Sequence, residues 1–133
     1  MFFELSAEQQ ALRQKAIDFC ARECPPDFET SLDQSGVFPG DLYRKMADYG
    51  LLGISFPAEY GGTSGDIMDI VLIAEQLAGN SFTAVYMYLG NVVFAGSINL
   101  KCGRDSHKKE ILPKLAKGGV FYTSDPAPEK REG

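Results

Sequence analysis

The spacing of apolar residues along the first part of the chain predicts an amphipathic helix. Ser6 and Gln9 form a capping-box pattern, in which each side chain bonds the other residue's backbone amide. Apolar residues then recur at helical intervals, at Leu12, Ala16, Phe19 and Cys20. Pro25 and Pro26 disfavour further helix, so we expect this element to end before them.

A second helix is predicted from residue 39 to residue 50. Pro39 suits a first helical turn, Gly50 suits a helix end, and one face carries Leu42, Met46 and Tyr49. The preceding segment, 27–38, mixes polar residues with a glycine and is expected to be an irregular connector. Residues 51–56 form a short apolar run.

The third predicted helix has the clearest apolar stripe in the sequence. Asp66 is placed to cap it and Gly79 to close it. The stripe consists of Ile67, Ile70, Val71, Ala74, Leu77 and Ala78. We expect this face to lie against the core.

The fourth predicted helix, capped by Ser81, contains neither a charged residue nor a histidine between positions 82 and 100. A helix that is apolar all round is buried in a core or in a bilayer. Asn91, Ser97 and Asn99 make a poor lipid span, and no basic cluster flanks the segment. We therefore expect it to be the most buried helix, with a membrane anchor as the weaker alternative.

A fifth helix is expected to begin at a cap formed by Asp105 or Ser106 and to be interrupted at Pro113. The β-favouring residues 120–123 then indicate the start of a strand. The tail, residues 127–133, is expected to be disordered. The predicted fold class is therefore all-α, a bundle of about five helices with a short strand start near the C-terminus.

Charge and cysteine content narrow the classes of partner and compartment. The net charge of −5 argues against a nucleic-acid partner, which requires a basic surface. Three cysteines without metal-binding spacing indicate reduced thiols, and the first residues lack the pattern of a secretory signal. We expect a cytoplasmic protein with no membrane partner.

Few residues could carry chemistry. The common nucleotide and metal motifs are absent, so no metal site is predicted. His107 is the only histidine and lies in a charged segment typical of a surface. Cys20 and Cys24 could form a redox pair, although core packing is the better interpretation. Glu59 and Tyr60 lie in a glycine-rich turn that could contact a ligand, and a plain surface turn is favoured. No catalytic residue is predicted.

Two motifs place the chain beside a known family. Phe56-Pro57-Ala58-Glu59-Tyr60-Gly61-Gly62 and, downstream, Leu112-Pro113-Lys114-Leu115-Ala116-Lys117-Gly118 match in order and spacing the F-P-x-E-Y-G-G and L-P-x-L-A-x-G motifs of acyl-CoA dehydrogenases. Over roughly residues 1–126, the chain resembles the N-terminal helical domain of that family. The resemblance implies such a domain at 1–119, and at 120–133 the start of the flavin-binding β-domain with a tail.

The resemblance also implies a function for a longer parent protein. Members of the family use FAD to oxidise the α,β bond of an acyl-CoA, with a glutamate base from their C-terminal part. Ser124-Asp125-Pro126 resembles the family's T-E-P motif, which places Phe121, Thr123 and Ser124 beside the flavin. The fourth helix lines the acyl pocket in the family, and the matching positions are Tyr86, Leu89 and Gly90. Bulky Tyr86 and Leu89 imply a short or wide pocket.

Implied partners of the parent are acyl-CoA, electron-transfer flavoprotein and further copies of the same chain. Self-association is expected through apolar surface at Leu51, Leu52, Phe56 and residues 120–122. After Pro126 the family continues with Gly-Ser-Asp, whereas this sequence runs Ala127 to Gly133 without it. The chain alone is expected to lack dehydrogenase activity and not to hold FAD. A stand-alone helical interaction module is the alternative function, which a reading frame continuing past Gly133 would disfavour.

Overall fold

The computed structural model describes residues 4–119, and every regular element in that range is helical. In chain order the elements are α1 (Ala7–Glu23), α2 (Phe28–Ser35), α3 (Gly40–Asp48), a 3₁₀ turn (Ala58–Tyr60), α4 (Ile67–Asn80), α5 (Phe82–Leu89), a π-helical segment (Gly90–Ser97), α6 (Ile98–Cys102) and α7 (Asp105–Ala116). The all-α prediction is confirmed. The strand start expected at 120–123 lies outside the described residues.

Helix starts read from the sequence are largely confirmed. The Ser6 hydroxyl accepts from the Gln9 amide at 3.2 Å, while the Gln9 side chain accepts from the Ser6 amide at 3.1 Å. Asp66 and Asp69 form the same reciprocal pair at the start of α4. Ser81 caps α5 through the Ala84 amide. Local hydrogen bonding suffices at these positions, so the residue types alone predict them.

The expectation of an irregular connector at 27–38 is wrong, because α2 occupies most of it. This helix is only eight residues long and ends at Gly36, which adopts φ 61°. None of its residues is fully buried, although Phe28 packs against the core from its edge. With so little buried surface, the segment carries almost no periodic signal.

The start and interruption predicted for the last helix are also wrong. Arg104 takes the N-cap position, Asp105 is already helical, and α7 continues through Pro113 to Ala116. Leu112 and Leu115 are buried on either side of the proline. Packing of these two leucines offsets the backbone hydrogen bond that proline removes.

The buried face of α4 differs from the predicted stripe. Ile67 and Val71 are exposed, whereas Leu72 and Ile73 are buried together with Ile70 and Leu77. Helix α4 packs mainly against α1 and α5. Apolar residues lie on more than one side of α4, so periodicity could not select the side that its neighbours cover.

Helix α5, the π segment and α6 form one continuous helical rod, and the expectation that it is the most buried element is wrong. One side is buried through Ala84, Tyr88 and Val92. The other side exposes Phe82 (73% exposed), Tyr86 (69%), Phe94 (63%) and Ile98 (58%). Positions 82–100 carry no charged residue because both faces of the rod are apolar. The described residues cover only one of these faces.

Two groups of buried side chains hold the fold together. The larger joins α1, α3, α4 and α5 around Phe19, Met46, Leu51, Ile73 and Tyr88. The smaller consists of Phe56, Tyr60, Leu112 and Leu115. Leu51, Leu52 and Phe56 are fully buried, so the expectation that they form a self-association surface is wrong. Within residues 4–119, no helix has the length and apolar character needed to cross a membrane.

Candidate functional site

The two family motifs lie against each other. Phe56 and Tyr60 of the first pack with Leu112 and Leu115 of the second to form the smaller core. A methyl group added at Gly61 would lie 3.8 Å from the Cβ of Ala116. The motifs therefore serve first as a packing unit between the 51–65 loop and α7.

Gly62 is required by the backbone of this loop. A Cβ there would lie 2.0 Å from the carbonyl oxygen of Phe56 and 2.4 Å from that of Gly53, distances that no side chain can occupy. The Ser64 amide donates to the same Phe56 carbonyl at 2.9 Å. Glu59 projects from the loop as an exposed side chain.

The loop also reaches the π segment. The Phe56 ring lies so close to Gly96 that an added Cβ would be 2.4 Å from a ring carbon. Turns of the π type are rare and occur frequently at functional sites. The first motif thus supports the helical rod at the level of its π segment.

The exposed side of the rod is a stripe of residues four positions apart, which we call the apolar stripe. Its members are Phe82, Tyr86, Gly90, Phe94 and Ile98. The rings of Phe82 and Tyr86 stack with centroids 6.1 Å apart. Four residues are slightly more than one turn of an α-helix, so positions four apart rotate gradually around its axis. In the wider π segment four residues are slightly less than one turn, so the rotation is reversed and these residues stay on one side.

The structure separates the three residues implied to line an acyl pocket. Tyr86 and Gly90 lie together on the apolar stripe, and a Cβ at Gly90 would meet nothing within 4 Å. Leu89 is half-buried and packs against the main core instead. Phe94 shares the stripe, and its spacing of eight residues from Tyr86 could have identified it from the sequence.

A cavity of about 340 Å³ opens beside the stripe between α3, α5, the π segment and α7. Its walls are mainly apolar, and they comprise Phe38, Tyr43, Tyr86, Met87, Gly90, Asn91, Ala95 and Leu115. Sequence patterns could not have identified it, because its walls come from segments more than 70 residues apart.

Two buried polar residues form part of this cavity wall. The Asn91 amide nitrogen donates to the hydroxyl oxygen of Tyr43, and also to the Leu115 carbonyl at 3.2 Å. Burial raises the pKa of Tyr43, an effect that the hydrogen bond from Asn91 partly opposes. Tyr43 therefore remains a neutral phenol at physiological pH.

The other residues singled out from the sequence do not join this site. Cys20 and Cys24 are buried in the main core, and His107 is exposed on α7. Among residues 4–119, no group of three or more His, Cys, Asp or Glu side chains could hold a metal ion. Phe121, Thr123 and Ser124 lie outside the described residues.

Comparison with known proteins identifies the family. The model of the acyl-CoA dehydrogenase N-terminal domain matches residues 6–119. The chain is 36% identical over 129 residues to the probable acyl-CoA dehydrogenase YngJ of Bacillus subtilis, covering 95% of this chain and 34% of that protein. It is 34% identical over 129 residues to acryloyl-CoA reductase (NADH) of Anaerotignum propionicum, covering 95% of this chain and 32% of that protein.

Solved structures of similar proteins share the fold of this chain. Butyryl-CoA dehydrogenase of Megasphaera elsdenii superposes with a TM-score of 0.80 at 26% identity, over 89% of this chain and 31% of that one. A structure described as the electron transferring flavoprotein of Acidaminococcus fermentans gives 0.82 at 28% identity, over 90% and 31%. The chain thus spans 32–34% of the length of these curated relatives. Through residues 6–119, which carry both motifs and the helical fold, it belongs to the acyl-CoA dehydrogenase N-terminal domain family.

Proposed function

We propose that this chain is the N-terminal helical domain of a flavin-dependent enzyme that oxidises the α,β bond of an acyl-CoA thioester. The observation that carries the proposal is the uncharged apolar stripe, which stands exposed on a domain of this family. An apolar surface of this kind is a suitable binding surface for an acyl chain, because the hydrocarbon part of an acyl chain carries no charge and no hydrogen-bonding groups.

In this proposal the stripe forms one wall of the acyl pocket. Tyr86 and Gly90 face the acyl chain, and Leu89 holds the rod in place from behind by packing on the core. Each methylene transferred from water to such a wall contributes about 0.8 kcal/mol. The bulk of Tyr86 beside the open space at Gly90 favours a short or wide acyl group over a long straight one.

FAD would accept the hydride from the substrate, and Phe121, Thr123 and Ser124 are the proposed contacts of this chain with it. The described residues fit a supporting role only, since the stripe carries no charged group that could pair with the phosphates of the cofactor. The base that removes the substrate α-proton would come from another part of the parent protein. We expect the 133-residue chain alone to show neither saturable FAD binding nor dehydrogenation.

A domain replacement tests this function. Residues 6–119 would replace the matching segment of the Bacillus subtilis relative, and the purified chimera would be assayed for bound flavin and for oxidation of acyl-CoAs of rising length. We expect a yellow, active chimera that prefers short acyl groups. Replacing Tyr86→Ala should shift that preference towards longer chains.

Val71→Ala is the matched control, since it removes an exposed apolar side chain from α4, away from the stripe. A folded chimera that holds flavin but oxidises no acyl-CoA would contradict the proposal. So would a chain-length profile that Tyr86→Ala and Val71→Ala change equally.

We further propose electron-transfer flavoprotein as the redox partner of the whole enzyme. A relative 32% identical to this chain is named as subunit CarC of the caffeyl-CoA reductase-Etf complex of Acetobacterium woodii, which supports such a partner. The names of this relative and of the acryloyl-CoA reductase both describe reduction of an acyl-CoA rather than its oxidation. Assaying the active chimera in both directions would establish which one it performs.

A stand-alone interaction module is the second candidate function. The exposed stripe favours it, because apolar patches of this kind also mark protein-binding surfaces. A chimera that folds but neither binds flavin nor turns over would support this alternative.

A further inference from the structure

Helix α2 is held to the rest of the fold by few contacts. None of its residues is fully buried, and only Phe28, at its first position, packs against the main core from the edge. Pro25 and Pro26 separate it from α1, and Gly36, with φ 61°, ends it. The segment 27–35 is therefore bounded by a break in helical structure on each side, and we call it the strap.

A single side chain makes the polar contacts between the strap and the body of the fold. Glu29 accepts hydrogen bonds from the Ser81 hydroxyl and from the amide and hydroxyl of Thr83, at the start of α5. In the described part of the chain, the other hydrogen bonds of the strap stay within residues 25–37. Loss of the Glu29 contacts would therefore leave the strap attached mainly through Phe28.

The structure beside the strap has contacts of its own that do not depend on it. Ser81 also accepts from the Ala84 amide at 3.0 Å, so α5 keeps a local cap without Glu29. Phe38 follows the strap in the chain and packs edge to face on Tyr43 of α3, with ring centroids 6.5 Å apart. Both neighbouring helices can therefore remain folded when the strap moves.

A cavity already separates part of the strap from α3. It has a volume of about 450 Å³, and its walls include Leu32 and Ser35 of the strap and Leu42 and Lys45 of α3. The C-terminal half of the strap thus does not pack closely on α3. Movement of this half away from α3 breaks little apolar packing.

The strap borders a buried thiol. Cys24 is 5% exposed and belongs to the main core, against which Phe28 packs. The pKa of Cys24 is raised by hydrogen bonding with Cys20, then by burial and by neighbouring charges, which include that of Glu29. Cys20 lies against α4 instead, where its Sγ donates to the Gln76 carbonyl at 3.5 Å. Opening of the strap would therefore expose Cys24 and leave Cys20 covered.

We propose that the strap opens from the body as a unit while the rest of the fold stays closed, and that Glu29 is the latch that holds it shut. Local opening is characteristic of elements with few buried contacts and few hydrogen bonds to the rest of the fold. Opening exposes Phe28 and Cys24 to solvent and widens the cavity beside α3. The proposal rests on the contacts of the strap alone and is independent of the proposed function.

Thiol labelling of the 133-residue chain tests the proposal, because its cysteines differ in protection. Cys102 is exposed, Cys24 borders the strap, and Cys20 lies against α4. Iodoacetamide is added under native conditions, and peptide mass spectrometry follows the modification of each cysteine. We expect Cys102 to react first and Cys24 to react about tenfold faster than Cys20. Equal rates at Cys24 and Cys20 would overturn the proposal, since the strap would then open only together with the whole fold.

Two variants of the strap test the latch. Glu29→Ala should speed the modification of Cys24 about tenfold, in line with the loss of hydrogen bonds to a charged group. Asp33→Ala is the matched control, since it removes an exposed carboxylate from the same helix, and it should leave the rate at Cys24 unchanged. A rate at Cys24 that Glu29→Ala does not change, or that both variants raise equally, would overturn the assignment of Glu29 as the latch.

A third variant separates local opening from global unfolding. A Cβ at Gly96 would lie 2.4 Å from a ring carbon of Phe56 in the smaller core, to which no described residue of the strap belongs. Gly96→Ala should therefore speed the modification of Cys20, which requires global unfolding, and leave the rate at Cys24 unchanged. Equal acceleration at both cysteines would overturn the proposal. Circular dichroism checks that each variant is folded.

Discussion

At the scale of single residues, Gly96 shows how one missing side chain permits the fold. It lies in the π segment, directly against the ring of Phe56 from the first family motif. A methyl group at this position would fall 2.4 Å and 2.5 Å from two ring carbons and 3.0 Å from the Asn91 carbonyl oxygen. The ring is fully buried and cannot move aside without opening the smaller core.

We therefore expect Gly96→Ala to lower the free energy of unfolding by about 1–3 kcal/mol, because overpacking outweighs the better helix propensity of alanine. Urea denaturation followed by circular dichroism measures the change. Gly79→Ala is the control, since a Cβ there meets nothing within 4 Å, and it should be neutral or stabilising. A Gly96→Ala variant as stable as the parent would contradict the packing described.

At the scale of elements, a residue from α2 adds hydrogen bonds to the local cap at the start of α5. Glu29 accepts hydrogen bonds from the Ser81 hydroxyl, from the Thr83 amide at 3.0 Å and from the Thr83 hydroxyl at 2.9 Å. Burial of the carboxylate acts to raise its pKa, but the hydrogen bonds from Ser81 and Thr83 lower it below its ordinary value of 4.5. The short helix α2 therefore supplies an anion to the N-terminus of α5.

Because the pKa of Glu29 is lower in the folded chain than in the unfolded chain, its hydrogen bonds to α5 stabilise the fold fully above the unfolded-state pKa. This stabilisation is lost as the pH falls through the folded-state pKa. We expect Glu29→Gln to lower the free energy of unfolding by about 1 kcal/mol at pH 7, and by progressively less below pH 4.5. Thermal unfolding at several pH values measures this. Glu75→Gln, at an exposed position of α4, should show no such pH-dependent difference. Parallel pH profiles for Glu29→Gln and the parent would refute the prediction.

At the scale of the whole molecule, we expect the apolar stripe to govern association. We predict that the 133-residue chain self-associates through Phe82, Tyr86, Phe94 and Ile98, which are all more than half exposed. Light scattering over a range of concentrations should show a mass that rises for the parent and stays monomeric for Phe94→Lys. Val71→Lys, at an exposed position of α4, should associate as the parent does. A monomeric parent at high concentration would argue against the stripe as an interface.

The sequence by itself determined the features that depend on neighbouring residues. The capping boxes at Ser6 and Asp66 and the cap at Ser81 need only side chains within three positions, so their residue types predict them. The two family motifs likewise identify the family and its helical fold. The motifs alone did not reveal that they pack on each other, because that contact joins positions about 55 residues apart along the chain.

Tertiary structure decided which faces are buried and where a cavity opens. Helix α4 and the helical rod are apolar on several sides, so only the placement of α1, α3 and α7 determines which side becomes core. The same placement allows α7 to continue past Pro113 as a helix, and it brings Tyr43 beside Asn91. Burial is a property of all neighbours at once, whereas periodicity reports one segment at a time, and so the candidate site became visible only in the folded chain.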